Sequence, residues 1–307
     1  MNISTGLFPQ QALLERRNLA AKKRIAQSLD DDDARPLRLG VAQIRNHCGG
    51  QTGKEGNLER MVDCVKMASE HGVQALVLPE MCLPGYFTKA HGAVEEGVAA
   101  AHGLADVVGT SPFLNRIAET AKAAAMLVAF GFSERDGECF YNSVGVVDTD
   151  GRWLGVRRKN PLSPHAYELT PFTEPPPSER GTVFPASHGV IGVCNCFDGE
   201  FPESVRRMRL AGAELLLWSN AGSGNAQTGS SSRFNQCGSY AQTNRMWVAS
   251  CNAVGTPFYG NSCIYAPWGE PLVQLPTTEE ALGVAQINLA LAKDWPMYRD
   301  RLDPDIV

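Results

Sequence analysis

Cys196 sits in the stretch GVIGVCNCFDGEFPE, where an apolar run ends in a cysteine and a proline soon follows. Three roles suit a cysteine there: inert packing, a metal ligand paired with Cys194, or a nucleophile lifted off the end of a strand. The run VIGVC reads as a buried strand. Pro202 suits the first turn of a helix, and Glu203 suits its positive end. A side chain in such a tight strand-to-helix connection can project over the end of a sheet, as in nucleophile elbows. Backbone N–H groups and a cation nearby would favour its thiolate. A cysteine in an apolar run is also an ordinary packing residue. On this stretch alone, packing and nucleophile both stand, and Cys194, one strand period earlier, reads as packing.

A nucleophile needs a base and an oxyanion stabiliser, and two other strand ends offer them. ALVLPEMCLPGY closes an apolar run with Glu80. An acid there is poorly solvated, which suits a group that accepts and returns a proton; a rim carboxylate in a salt bridge is the plain alternative. WLGVRRKN ends a strand with Lys159, a charge that could face a thiolate or a developing oxyanion. Read alone, it is equally a surface lysine.

The elements that must position these residues alternate in type. LRLGVAQI and VQALVLPE read as strands around a helix, NLERMVDCVKMASEHG. SPFLNRIAETAKAAA is a helix with Ser111 as N-cap and Pro112 in its first turn, followed by the strand MLVAFGFSE. YNSVGVVDTDG and RWLGVRRK form two strands around a turn at Asp150 and Gly151. After a proline-rich loop come the strand GVIGVCNC, a helix from Pro202 to Leu210, the strand AELLLWSN and the helix FNQCGSYAQTNR. MWVASCNAVG, NSCIYAPWGE and GVAQINL supply the last strands. Apolar runs too continuous for one-sided exposure argue an α/β sandwich whose sheets are covered by helices.

Composition excludes several classes. A net charge of −5 without a large basic block gives no nucleic-acid footprint. No apolar run nears the roughly 20 residues that span a bilayer, and the N-terminus lacks a signal-peptide h-region, so the expected address is the cytoplasm. The nine cysteines are odd in number and scattered, so reduced thiols are expected rather than disulfides. No CxxC or HExxH spacing suggests a metal. Residues 1–36 read as a polar leader or arm, with a helical stretch near Gln10–Ser28, solvated or in contact with another subunit. The remaining 37–307 form one domain.

Together these motifs resemble the nitrilase (carbon–nitrogen hydrolase) superfamily. Its acid motif matches LVLPEMCLPGY, its lysine motif RRKNPLSPHAYE, and its nucleophile motif GVCNCFDGEFPESVR, within a likeness spanning roughly 37–290. The resemblance implies a four-layer α-β-β-α sandwich and a Cys-Glu-Lys triad. Glu80 is then the general base, Lys159 the oxyanion stabiliser and Cys196 the nucleophile, with Glu168 as the second glutamate beside them. The backbone N–H of Phe197 joins Lys159 at the oxyanion. No metal or organic cofactor is required, and homodimers or larger assemblies are expected.

Two departures bear on the substrate. Pro161 stands where many relatives have a histidine two residues past the lysine. Phe197 and Asp198 replace the Trp-Glu common in nitrilases, and an aspartate there is usual in amidases and carbamoylases. The implied function is an amidase on a small-molecule amide, working through a thioester and releasing ammonia. An N-carbamoyl amide hydrolase or a nitrilase of the same superfamily is the alternative, and an inactive binding scaffold the reading from another class. The loops 82–105, 160–180 and 220–233 would shape the pocket, with Tyr86, His165 and Asn220 as lining candidates.

Overall fold

The computed structural model describes residues 9–223 and 229–292 of the 307, so both chain ends and part of the 220–233 loop lie outside the described residues. Two six-stranded sheets face each other. The first contains β1 (Pro36–Gln43), β2 (Ala75–Val77), β3 (Leu127–Asp136), β4 (Cys139–Val147) and β5 (Trp153–Arg158). The second contains β6 (Val183–Ala186), β7 (Gly189–Asn195), β8 (Leu215–Asn220) and β9 (Trp247–Asn252). The short pair β10 (Val254–Gly255) and β11 (Phe258–Tyr259) stands apart, β12 (Cys263–Tyr265) and β13 (Pro271–Gln274) extend the second sheet, and β14 (Ala281–Asn288) returns to the first. The orders are β14-β1-β2-β3-β4-β5 and β13-β12-β9-β8-β7-β6. Three central strands of each sheet run parallel, β1-β2-β3 and β7-β8-β9.

Strand alternation builds the layers. Leu37, Leu39, Val41, Ala75, Val77, Leu127 and Ala129 point inward from the first sheet, meeting Ile191, Val193, Leu215, Leu217 and Ala249 from the second. The alternate residues point outward. Leu76, Leu78, Val128 and Phe130 pack beneath α2 (Gly50–Glu70) and α4 (Pro112–Ala123). Cys194, Leu216, Trp218 and Val248 pack beneath α6 (Pro202–Leu210) and α7 (Gly229–Asn244). The result is the four-layer α-β-β-α sandwich. The remaining helices are α1 (Pro9–Ser28), α3 (Val94–Gly103) and α5 (Ala166–Leu169).

Local signals account for the helix ends. Ser111 Oγ accepts from the N–H groups of Phe113 (3.2 Å) and Leu114 (3.3 Å), and Pro112 occupies the position that needs no donor. Two sequence expectations need correction. The second helix begins at Gly50 rather than near Asn57, because tertiary contact overrides a glycine-rich start: buried Lys54 donates to Leu104 O (2.9 Å) and Asp106 (2.8 Å). The leader is not simply solvated either. Ala21 and Ile25 of α1 are buried with Leu272, Ala285 and Leu289, and Arg24 lies 4.2 Å over the Trp268 ring.

Candidate active site

Glu80, Lys159 and Cys196 each follow the carboxyl end of a strand, β2, β5 and β7 respectively, where open α/β sheets place their sites. The two sheets are stitched together there. Ser219 Oγ donates to Leu78 O (2.7 Å), and the Glu80 N–H donates to Asn220 O (3.2 Å). Asn46 holds the Glu80 carbonyl at 2.9 Å. Gly131 of β3 runs so close to the Glu80–Met81 backbone that any Cβ would overlap it. Glu80 is therefore gripped by main chain on both sides.

Lys159, Glu80 and Glu168 form one buried cluster. Lys159 Nζ donates to Glu80 Oε1 at 2.7 Å and to both oxygens of Glu168, at 2.6 and 2.8 Å. Asn142 of β4 bridges the two carboxylates, its Nδ2 lying 2.8 Å from Glu80 Oε1 and 2.6 Å from Glu168 Oε1. Asn195 in turn donates to Asn142 Oδ1 (2.9 Å), and the Ser163 N–H donates to Glu168 Oε2 (3.0 Å). Burial works against the Lys159 ammonium, but the Glu168 and then the Glu80 carboxylates outweigh it and raise its pKa. Burial opposes ionised Glu168 too; Lys159 and the surrounding donors reverse that and lower its pKa. Glu80 Oε2 is buried and accepts no hydrogen bond from the described residues.

Cys196 has φ +50°, in the left-handed region that residues with a Cβ avoid, as an elbow requires. Its side chain is buried, and burial, reinforced by Glu80, pushes the thiol up to about 12 against the pull of Lys159 and Arg233. Burial therefore favours the neutral thiol at Cys196, with the Glu80 carboxylate and the Lys159 ammonium both acting on it. Iodoacetamide labelling of Cys196 should accelerate about tenfold per pH unit from roughly pH 7 to 9. A rate that levels off below that range would mean a preformed thiolate.

The remaining candidates divide. Tyr86 is buried, and burial followed by the nearby Glu168 carboxylate raises its pKa well above the ordinary value. His165 is exposed, with Nε2 3.8 Å from Glu168 Oε2. Phe197 is half-buried, its ring edge-on to Phe201. Asn220 spends its amide N–H groups on Trp218 O (2.9 Å) and Ser250 (3.0 Å), while its buried Oδ1 has no hydrogen-bond partner among the described residues. Asp198 does not cap α6, whose N-cap Phe201 makes no side-chain bond. Its oxygens accept from the Asn195 N–H (2.8 Å) and pair with buried Arg157 (3.0 Å), which closes the turn after Cys196. Asn142, Asn195, Ser163 and Arg157 were not singled out from sequence. Only the inward-facing strand period offered a signal for the asparagines.

A cavity of about 180 Å³ opens beside this cluster, between the segment 81–104 and Tyr167 and Phe172. Met81 and Tyr86 line it, whereas Glu80, Lys159 and Cys196 do not. Two of the three expected pocket loops thus meet at one hollow.

The layering defines the class of protein, an α-β-β-α sandwich of the nitrilase type. Nit3 of Saccharomyces cerevisiae, a member of branch 10 of the nitrilase superfamily, superposes with a TM-score of 0.73 at 18% identity, over 88% of this chain and 95% of that one. A sequence model of the carbon-nitrogen hydrolase family matches residues 38–297. The chain belongs to that family, within the nitrilase superfamily, and is a carbon–nitrogen hydrolase. It is 32% identical to an N-carbamoylputrescine amidase of Solanum tuberosum, over 79% of this chain and 85% of the relative. A citrullinase of Francisella tularensis is 26% identical over 80% and 89%.

Proposed function

We propose that this protein is an amide hydrolase working through Cys196 as nucleophile, Glu80 as general base and Lys159 as oxyanion stabiliser, with Glu168 fixing the lysine. The observation that carries the reading is the single buried cluster of Glu80, Lys159, Glu168 and Asn142, set beside an elbow cysteine at converging strand ends.

As the thiol sulfur bonds to the amide carbon, its proton passes to Glu80 Oε2 and the carbonyl electron pair moves to oxygen. Lys159 and the Phe197 N–H stabilise that oxygen, a contribution of about 3–4 kcal/mol per donor. The tetrahedral intermediate collapses by breaking the C–N bond, and the nitrogen leaves with the proton held by Glu80. Water, giving its proton to the same carboxylate, then cleaves the thioester and restores the thiol. Glu168 keeps Lys159 charged and aimed throughout.

The preferred substrate is a small-molecule amide that releases ammonia. A second reading, an N-carbamoyl amide, is favoured by the N-carbamoylputrescine amidase relative; its acyl-enzyme would be a carbamoyl thioester. The superfamily resemblance also supports a homodimer or larger assembly, and Leu169 and Phe201 leave apolar side chains exposed (54% and 39%). Among the described residues no helix is long and apolar enough to cross a membrane. A cytoplasmic address belongs to the proposal, supported by nine free thiols.

The test is ammonia release from simple amides, N-carbamoyl compounds and nitriles with matched side chains. Hydroxylamine added during amide turnover should yield a hydroxamate by intercepting the acyl-enzyme. A nitrile turned over faster than its amide would move the protein to the nitrilase branch. No turnover anywhere in the panel would favour the inactive scaffold.

A further inference from the structure

Asp198 and Arg157 hold the nucleophile turn from one side; helix α7 grips it from the other. The Cys196 carbonyl accepts two side-chain hydrogen bonds, from the Trp218 indole (2.9 Å) and from Arg233 Nη1 (3.1 Å). The Arg233 guanidinium lies 4.5 Å over the Trp218 ring, and its other arm pairs with Glu200 at 2.6 Å. Gln236 also holds Glu200 (3.0 Å), and the Tyr240 hydroxyl holds Gly199 O (2.8 Å). Every one of these bonds ends on the five-residue turn Cys196–Glu200.

In a trans peptide the C=O and the following N–H point in opposite directions. Fixing the Cys196 carbonyl toward the outer helix layer therefore turns the Phe197 N–H the other way, toward the side from which substrate must approach. A cationic donor on the carbonyl also polarises the peptide, so its N–H donates more strongly. We propose that Arg233 is a positioning residue of the reaction, which holds and polarises the Cys196–Phe197 peptide so that its N–H serves the developing oxyanion. The inference rests on Cys196 being the nucleophile.

Alkylation separates this role from a merely structural one. Iodoacetamide reacts with the sulfur without creating an oxyanion, whereas amide hydrolysis depends on one. Arg233→Lys keeps the charge but loses the fork that spans Cys196 and Glu200. On the best amide of the panel its kcat should fall about tenfold to a hundredfold, with KM within about twofold. Labelling of Cys196, read by peptide mass, should stay within about threefold of wild type. Trp218→Phe keeps the ring and removes the other donor, and should show the same split. Unchanged kcat in both variants overturns the proposal. So does labelling that falls in proportion to kcat, because the sulfur itself would then be displaced. Hydrolysis surviving in Cys196→Ala would remove the nucleophile assignment as well, whereas an inactive Cys196→Ala beside unimpaired Arg233 and Trp218 variants removes this inference alone.

Discussion

Replacing Cys196 with alanine should lower amide turnover by at least about 10⁴-fold while leaving the melting temperature nearly unchanged. The side chain is small and buried, and contributes to no large cluster between helix and sheet. Its left-handed backbone is held by bonds to main chain and neighbouring side chains that alanine keeps. Cys194→Ala should behave in the opposite way. That sulfur is fully buried against Val205, Met208 and Trp218, so its loss leaves a small cavity and costs roughly 1–2 kcal/mol, with turnover retained. Side-by-side kinetics and thermal melts read both effects. If Cys194→Ala is the inactive variant, the nucleophile has been placed one strand period too late.

Lys159→Met and Glu80→Gln should both abolish most turnover, by about 10³-fold or more, yet part company in stability. The cluster carries two carboxylates and one ammonium. Glu80→Gln leaves Lys159 paired with Glu168, so folding should be preserved within about 1 kcal/mol. Lys159→Met leaves two carboxylates buried without a cation, a loss on the order of 3–5 kcal/mol. The pH dependence follows from the sign of the shift. Glu168 has a lowered pKa in the folded wild type, so its contribution is present above the ordinary carboxylate value of 4.5 and is lost as pH falls through the folded value. In Lys159→Met the same carboxylates are a liability while ionised and relax on protonation. The stability gap between wild type and Lys159→Met should therefore narrow as pH is lowered from neutrality toward that value. More than a tenth of wild-type turnover in either variant would overturn its assignment.

Much of the local structure was legible in the chain. Continuous apolar runs mark the central strands, because those strands are buried on both faces. Ser111, Pro112 and Pro202 mark helix starts, because caps and first-turn prolines act within a few residues. The three reactive side chain types at strand ends were also visible, the strand period set Cys194 apart as packing, and the resemblance pointed to Cys196 as the nucleophile.

What the tertiary structure alone decided is how those ends meet. Asn142 and Asn195 read as unremarkable polar residues in strands, and become the bridge and its anchor only when two sheets close over them. Asp198 reads as a marker of substrate class until Arg157, distant in sequence, comes to face it. The protonation of Cys196 turns on burial and on carboxylate and cation together, each from a different element. Sequence specifies short-range preferences residue by residue; desolvation and charge pairing at this site are sums over groups that only folding brings within a few ångströms.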